Sequence, residues 1–587
     1  MHISAMTNAI FQSRLRAGLL LFALTVAVYS NTLFNGFVWD DHPQILSNPW
    51  IEDVRHIPAI LSSPVWGFED EVTASNYYRP TMHLLYMAEY HLFGRSPWGW
   101  HLVNVLLHGL SAVVALIFFS RMLKKEPGAV LFAFMGASLF ALHTINSEVA
   151  GFVAAVPELL LAIFYISALI LYAKSVEERS KTMLALSTLA FFMAILSKEP
   201  AITFGPMLAA FDLYEGRRPW KIEVLKRYAW FAVALAVYMA IRTFAMGAPG
   251  LRSAKHGYLD AWQAFVNIFP LAAKYLKSML LPTNLSPFHV FDPAYSITDP
   301  RALVSITVVV LVAAMVVMLA LKISRLFVLS LAMFFITLSL ALYVPVLGLN
   351  AFSEVYVYLP STGFALFMAV VFSRTNKKAA AAGYLVMISL LGLNTFMRNF
   401  DWKDDLTIWK KTVENQPDNY YALFVLGGSY KAMGDNARAV ETLTASIEAN
   451  ERMARPELFT VGNARVMLAE IYMNENRYPE AIAEYLGAIE ASPQGRHIRN
   501  IDYNLGLAYQ KNNELQKAAA AYAGALNYAA TPQDAIDIYL NLGNVLAMQG
   551  EFARATFCYN EVLKADPQNR SALANIAAVA KMARDTR

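Results

Sequence analysis

Four stretches near the C-terminus share one register. They read Leu426-Gly427-x-x-Tyr430 with Ala439; Leu468-Ala469-x-x-Tyr472 with Ala481, Tyr485, Ala488 and Pro493; Leu505-Gly506-x-x-Tyr509 with Ala518, Tyr522 and Ala525; and Leu542-Gly543 with Ala555, Tyr559 and Pro567. Each puts small residues where two antiparallel helices touch and larger ones in the gap between them. The spacing predicts helical hairpins over about 420–453, 462–495, 499–532 and 536–569, closed by a capping helix at 570–583. One hairpin cannot bury its own apolar face, whereas a stack can.

The register is similar to that of tetratricopeptide repeats. A stack of such repeats forms a concave groove suited to an extended peptide or a partner helix, and nothing in these repeats suggests catalytic chemistry. A rigid spacer or a dimer contact is the plainer alternative.

Outward from the repeats, the composition changes. The chain has 587 residues, 57% apolar and only 16% charged, against about 25% charged in ordinary soluble domains. Long apolar runs fill 1–400, and 401–587 reads as a soluble helical domain. The expected fold is therefore all-α, a polytopic membrane helix bundle followed by an α-solenoid. A net charge of +4 gives no reason to expect a nucleic-acid partner, because the basic residues cluster where short membrane loops need them. Cys558 is the single cysteine, so no disulfide framework exists. Arg14 and Arg16 precede the first apolar run, which lacks a small-residue cleavage site and reads as a retained anchor.

A crossing needs about 20 apolar residues in a helix. Eleven runs are candidates, near 17–34, 100–120, 128–142, 152–173, 182–197, 201–214, 228–246, 303–321, 326–345, 355–373 and 379–398, the short ones such as 201–214 reading as tilted partners in a hairpin. Basic clusters at Arg14/Arg16, Arg121/Lys124/Lys125, Lys174/Arg179/Lys181, Arg217/Arg218/Lys221/Lys226/Arg227, Lys322/Arg325 and Arg374/Lys377/Lys378 then all fall on the cytoplasmic side. Counting 261–281, which contains Lys274 and Lys277, as another crossing would move the last two clusters to the opposite face. That segment is expected to be interfacial or re-entrant. The large first loop, 35–99, and the repeats then share the non-cytoplasmic side.

Five polar groups fall on that same expected face, the Arg79 segment and the second crossing forming one of them. Asp40 and Asp41 follow the first crossing in Phe37-Val38-Trp39-Asp40-Asp41-His42-Pro43. Arg79 lies in Asn76-Tyr77-Tyr78-Arg79-Pro80, ahead of His83 and Glu89. His101, Asn104 and His108 belong to the second crossing, and His143 to Glu148 end the third. Lys198 and Glu199 sit in an outer turn, and Glu354 to Ser361 enter the tenth crossing. Ionisable groups near a bilayer mark functional sites. Asp41 before Pro43 is also a good helix start, which is the competing structural reading of the acid pair. No His-Glu-x-x-His or paired Cys/His spacing points to a metal site, and a carboxylate-bound divalent cation stays open. Gly-rich phosphate loops and a Gly-x-Ser-x-Gly elbow are absent, which disfavours nucleotide and serine hydrolysis.

Together these segments resemble the transmembrane-and-tetratricopeptide-repeat family of protein O-mannosyltransferases, within the GT-C superfamily of polyprenyl-phosphate-sugar-dependent glycosyltransferases. The resemblance rests on Asp40-Asp41 with Asn48, Tyr78-Arg79-Pro80, Pro97-x-x-x-His101-x-x-Asn104-x-x-x-His108, Leu142-His143-x-x-x-x-Glu148, Lys198-Glu199, Pro282-x-Asn284-Leu285-Ser286, Tyr358-Leu359-Pro360-Ser361-x-Gly363-Phe364 and the repeats. One departure is plain: many relatives carry a Glu-Arg pair before the Tyr-Leu-Pro-Ser stretch, and here Val355 follows Glu354.

The resemblance implies an inverting transfer of a hexose such as mannose from a polyprenyl-phosphate donor to Ser or Thr hydroxyls of a polypeptide held by the repeats. Asp40 or Asp41 would be the general base. Arg79 and Lys198 would stabilise the departing phosphate, with His101 or His143 assisting. Glu199 and Glu354 would orient those cations, and Tyr358 belongs to the same substrate-binding set. No cofactor is required. A surface polysaccharide or lipid is the alternative acceptor. A non-enzymatic scaffold for envelope or secretion partners and a transporter are the alternative classes. Short connections favour a bacterial inner membrane with periplasmic repeats, with the endoplasmic reticulum membrane and lumenal repeats as the alternative.

Overall fold

The computed structural model describes residues 13–69, 76–247, 256–322, 324–491, 501–529 and 531–585, and no strand occurs among them. Residues 70–75 of the first loop lie outside this set. So do 492–500, which hold Pro493 and the expected joint between the second and third repeats. The chain forms two compact units, Met1–Asn415 and Gln416–Arg587. Residues 401–415, expected with the repeats, therefore belong to the first unit. The cause is packing: helix Asp405–Asn415 buries Ile408, Trp409 and Thr412, and Trp409 meets the Trp39 ring at 5.5 Å.

Among the described residues of the first unit, seven helices are long and apolar enough to cross a membrane. They are Arg14–Phe34, Pro97–Met122, Val153–Glu177, Ile222–Met246, Arg325–Leu342, Glu354–Arg374 and Lys378–Trp402. Ala129–Leu142 and Thr144–Gly151, bent by 51°, count as an eighth if taken as one span. The other three expected crossings are Lys181–Ser197, Pro300–Lys322 and Phe204–Tyr214. The last has 11 residues; at about 1.5 Å per residue it covers roughly half of a bilayer core about 30 Å thick. Helix Ala261–Leu280 starts from an Asp260–Gln263 capping box and is not among the helices apolar enough to cross.

Close packing between spans depends on small residues, because lipid offers no hydrophobic drive for association. A Cβ on Gly363 would lie 2.7 Å from the Ser330 carbonyl and 2.5 Å from the Phe334 nitrogen, so helices Tyr358–Arg374 and Arg325–Leu338 touch backbone to backbone there. Ion pairs tie one end of the bundle: Arg121 to Glu177 at 2.6 Å, Arg374 to Glu126 at 2.6 Å and Arg217 to buried Asp212 at 2.6 Å. These join the basic clusters assigned to one side by the sequence. The polar groups assigned to the other side meet at the opposite end.

The second unit stacks the helix pairs Tyr420–Ala432/Asn436–Glu451, Leu458–Asn474/Tyr478–Ala491, Ile501–Lys511/Leu515–Ala525 and Pro532–Met548/Phe552–Ala565, followed by Arg570–Asp585. This is a tetratricopeptide-type solenoid. A Cβ on Gly543 would sit 2.5 Å from the Tyr559 ring, so only glycine lets that buried tyrosine lie against the first helix of its pair.

Candidate active site

Beyond the first span the chain turns at Val38–His42, with Trp39 at φ 50°, a conformation that bulky side chains rarely adopt. Asp41 is fully buried in this turn. Its Oδ2 accepts the Val38 N–H at 3.1 Å and its Oδ1 accepts the Ala154 N–H at 2.8 Å. Burial pushes its carboxyl up to about 8, against the pull of those two donors. Asp41 thus pins the turn to the head of span Val153–Glu177. Asp40 is half-buried, and among the described residues its carboxylate has no hydrogen-bond partner. Burial raises it to about 6. The couplet therefore divides into an anchor, Asp41, and a free carboxylate, Asp40.

A cavity of about 270 Å³ opens at the same end of the bundle. Its polar lining includes Tyr77, Arg79, Glu158, Lys198, Glu199 and Arg242, and its walls include Leu161, Ile195, Ile202, Met239, Leu340 and Leu359. Arg79 donates to Glu199 through Nε at 3.1 Å and Nη2 at 2.8 Å, and its guanidinium lies 4.3 Å over the Tyr77 ring. Burial pushes Glu199 up, but the Arg79 charge and hydrogen bonds outweigh it and hold the carboxyl below its usual value. Lys198 pairs with Glu158, and burial lowers its ammonium despite that partner. Arg242 donates through Nη2 to the Asn76 carbonyl at 3.1 Å. Arg79, Lys198 and Arg242 thus line an otherwise apolar chamber together with Glu158 and Glu199. The Tyr77 phenol, raised chiefly by burial, also feels the Asp40 carboxylate, so Asp40 stands within electrostatic reach of the cavity's lining.

Of the residues singled out in the sequence, Arg79, Lys198 and Glu199 line this cavity. His101 does not; its Nε2 bonds the Gly36 carbonyl at 3.1 Å, below the Asp40 turn. His143 is occupied by the Met279 carbonyl at 2.9 Å and the Ile145 N–H at 3.3 Å. Glu354 is the buried partner of Arg398 at 2.8 Å, of His289 at 3.2 Å and of the Ser286 N–H at 2.5 Å. The Tyr358 hydroxyl bonds His108 Nδ1 at 2.7 Å. These four hold helices and loops together and stand outside the cavity. The structure brings two further charges into it, Glu158 and Arg242. Each sits inside an apolar run, and a charge within a span is the signal that would have found them.

Two stretches, 424–496 and 536–569, match the tetratricopeptide repeat. The chain is 28% identical to the Caenorhabditis elegans "Protein O-mannosyl-transferase F38B6.6" over 441 residues, 71% of this chain and 60% of that protein. It is 32% identical to the Drosophila melanogaster "Protein O-mannosyl-transferase Tmtc2" over 202 residues, 33% of this chain and 21% of that protein. These alignments thus span less than two thirds of either relative. Among solved structures, "Crystal structure of MamA" matches at 20% identity over 30% of this chain and 94% of its own, with a TM-score of 0.24, too low to carry any conclusion. With its apolar helices and its repeats, the chain is similar to the TMTC-type protein O-mannosyl-transferases.

Proposed function

We propose that this membrane protein transfers a hexose, mannose by the names of its relatives, from a polyprenyl-phosphate donor to Ser or Thr hydroxyls of a polypeptide held by its repeats. One observation carries the reading: an apolar cavity lined by Arg79, Lys198 and Arg242, with the Asp40 carboxylate in electrostatic reach of its Tyr77. A lipid phosphodiester brings a negative charge for those cations and a long apolar tail for those walls. In the reaction the acceptor oxygen attacks the anomeric carbon from the face opposite the phosphate. The acceptor's proton passes to Asp40 as the C1–O bond to phosphate breaks. The bonding pair leaves on polyprenyl phosphate, whose growing charge Arg79, Lys198 and Arg242 stabilise. Inversion follows from the single displacement.

We assign the site to the non-cytoplasmic side. The sequence reading takes this as the periplasmic side of a bacterial inner membrane, and its alternative as the lumen of the endoplasmic reticulum; the animal relatives add weight to the second. The solenoid's role as acceptor holder rests on the general use of such repeats as protein-binding grooves. The deciding experiment incubates purified full-length protein with a radiolabelled polyprenyl-phosphate hexose and a Ser/Thr-rich polypeptide. Label transferred to protein, and lost in Asp40→Asn, supports the reading. Transfer undiminished in Asp40→Asn, or no transfer from any monophosphate-linked donor, overturns it.

A further inference from the structure

A second pair of neighbouring acids, Asp404-Asp405, follows the last span, and the two divide their work as Asp40 and Asp41 do. Asp404 caps helix Asp405–Asn415, its Oδ1 accepting the Thr407 N–H at 2.8 Å and the Thr407 hydroxyl at 2.6 Å. Asp405 is thereby spared from capping and turns to the first loop. Its Oδ1 accepts the Trp39 N–H at 2.8 Å, and its Oδ2 lies 2.6 Å from His42 Nε2. One carboxylate thus grips the residue before the Asp40-Asp41 couplet and the residue after it. Nearby, the Gly36 N–H donates to the Lys403 carbonyl at 2.8 Å, and Trp39 stacks on Phe152 at 5.8 Å.

We infer that Asp405 is a positioning residue for Asp40, fixing from outside the loop the turn that aims the free carboxylate. The inference rests on the reading of Asp40 as the base. The turn is strained at Trp39, and strained backbone persists only where its surroundings hold it. The holding points are Asp41 on Ala154 from one side and Asp405 on Trp39 and His42 from the other. The side chain between these points, on Asp40, is the one left free for chemistry. The Asp405 clamp also belongs to the helix that leads into the repeats.

The test compares Asp405→Ala, Asp405→Asn and Asp40→Asn in the full-length protein. The readouts are transfer kinetics, thermal unfolding and hydrogen exchange of peptides covering 36–44. In Asp405→Ala, kcat is expected to fall about 10- to 100-fold, the scale of a misplaced reacting group. The donor KM should stay within about twofold, and exchange over 36–44 should quicken. Asn at 405 keeps an acceptor for Trp39 but loses the charge opposite His42, and should restore part of kcat. Unchanged kcat and exchange in Asp405→Ala, while Asp40→Asn is inactive, overturns the inference and leaves the base reading standing. Full activity of Asp40→Asn removes the base reading itself. A loss in Asp405→Ala that tracks global unfolding, with KM and kcat changing together and no rescue by Asn, reduces Asp405 to a structural contact and also overturns the inference.

Discussion

Arg242, from within the long apolar helix Ile222–Met246, donates to the Asn76 carbonyl at 3.1 Å, three residues ahead of Arg79. That bond ties the apolar bundle to the loop that carries the cavity's other guanidinium. It also holds the Arg242 charge at the chamber's lining.

Removing that charge tests the donor pocket. Arg242→Gln should raise the KM for a polyprenyl-phosphate sugar by about 10- to 100-fold, the worth of roughly 1.5–3 kcal/mol for a hydrogen bond to a charged group. Donor titration in detergent or nanodiscs measures it. Arg242→Lys should recover less than half of the lost free energy, because an ammonium lacks the planar fork.

The acid couplet should respond asymmetrically. Asp40→Asn should leave the melting temperature near that of the parent and lower kcat by about 10²- to 10⁴-fold, the usual range for a lost general base. Asp41→Ala removes the acceptor of two buried N–H groups, each costing about 1–3 kcal/mol when stranded. Its first symptom should be a lower melting temperature or poor yield.

Activity should follow the Asp40 carboxyl in pH. Burial raises it to about 6, and a base works only when deprotonated. Activity is therefore present above that value and lost as pH falls through it. A profile of kcat/KM should show an acid limb near 6, while a limb near 4, the value of an exposed aspartate, would contradict the buried assignment.

Breaking the Glu354 hub should harm the fold before the chemistry. Arg398→Met leaves a fully buried carboxylate with only His289 and one backbone N–H. Losing one partner of a buried ion pair costs about 3–5 kcal/mol. Thermal unfolding should report most of that, and the protein that remains folded should bind donor with unchanged KM.

In the solenoid, Gly543→Ala forces a methyl group to within 2.5 Å of the Tyr559 ring unless something shifts. Overpacking of this kind costs about 1–3 kcal/mol. Hydrogen exchange should quicken over 532–565 and leave the membrane helices unchanged.

The register of small and aromatic residues made the solenoid legible, because a contact such as Gly543 on Tyr559 repeats at a fixed spacing. Charge asymmetry made the bundle's two ends legible, and Arg79, Lys198 and Glu199 were found through it. Glu158 and Arg242 escaped because they lie inside runs judged by their average apolarity. Adjacent acids cannot be told apart by composition; only the turn at Trp39 decides that Asp41 points to Ala154 and Asp40 does not. Tyr358 and His143 look like site residues in a linear string, since their partners, His108 and Met279, are far away in sequence. The cation that pairs with Glu354, Arg398, is likewise distant in sequence and comes from another helix.

Ile202 and Met239 line the cavity yet are 43% and 41% exposed, on helical segments at the bundle's flank. The chamber therefore has an apolar-edged window, which under the proposed function would meet a lipid tail. On the proposed reading, a tailed donor would enter past these two side chains with its chain still in apolar surroundings. Soluble activated sugars, having no tail to thread through that window, would gain nothing from its greasy frame.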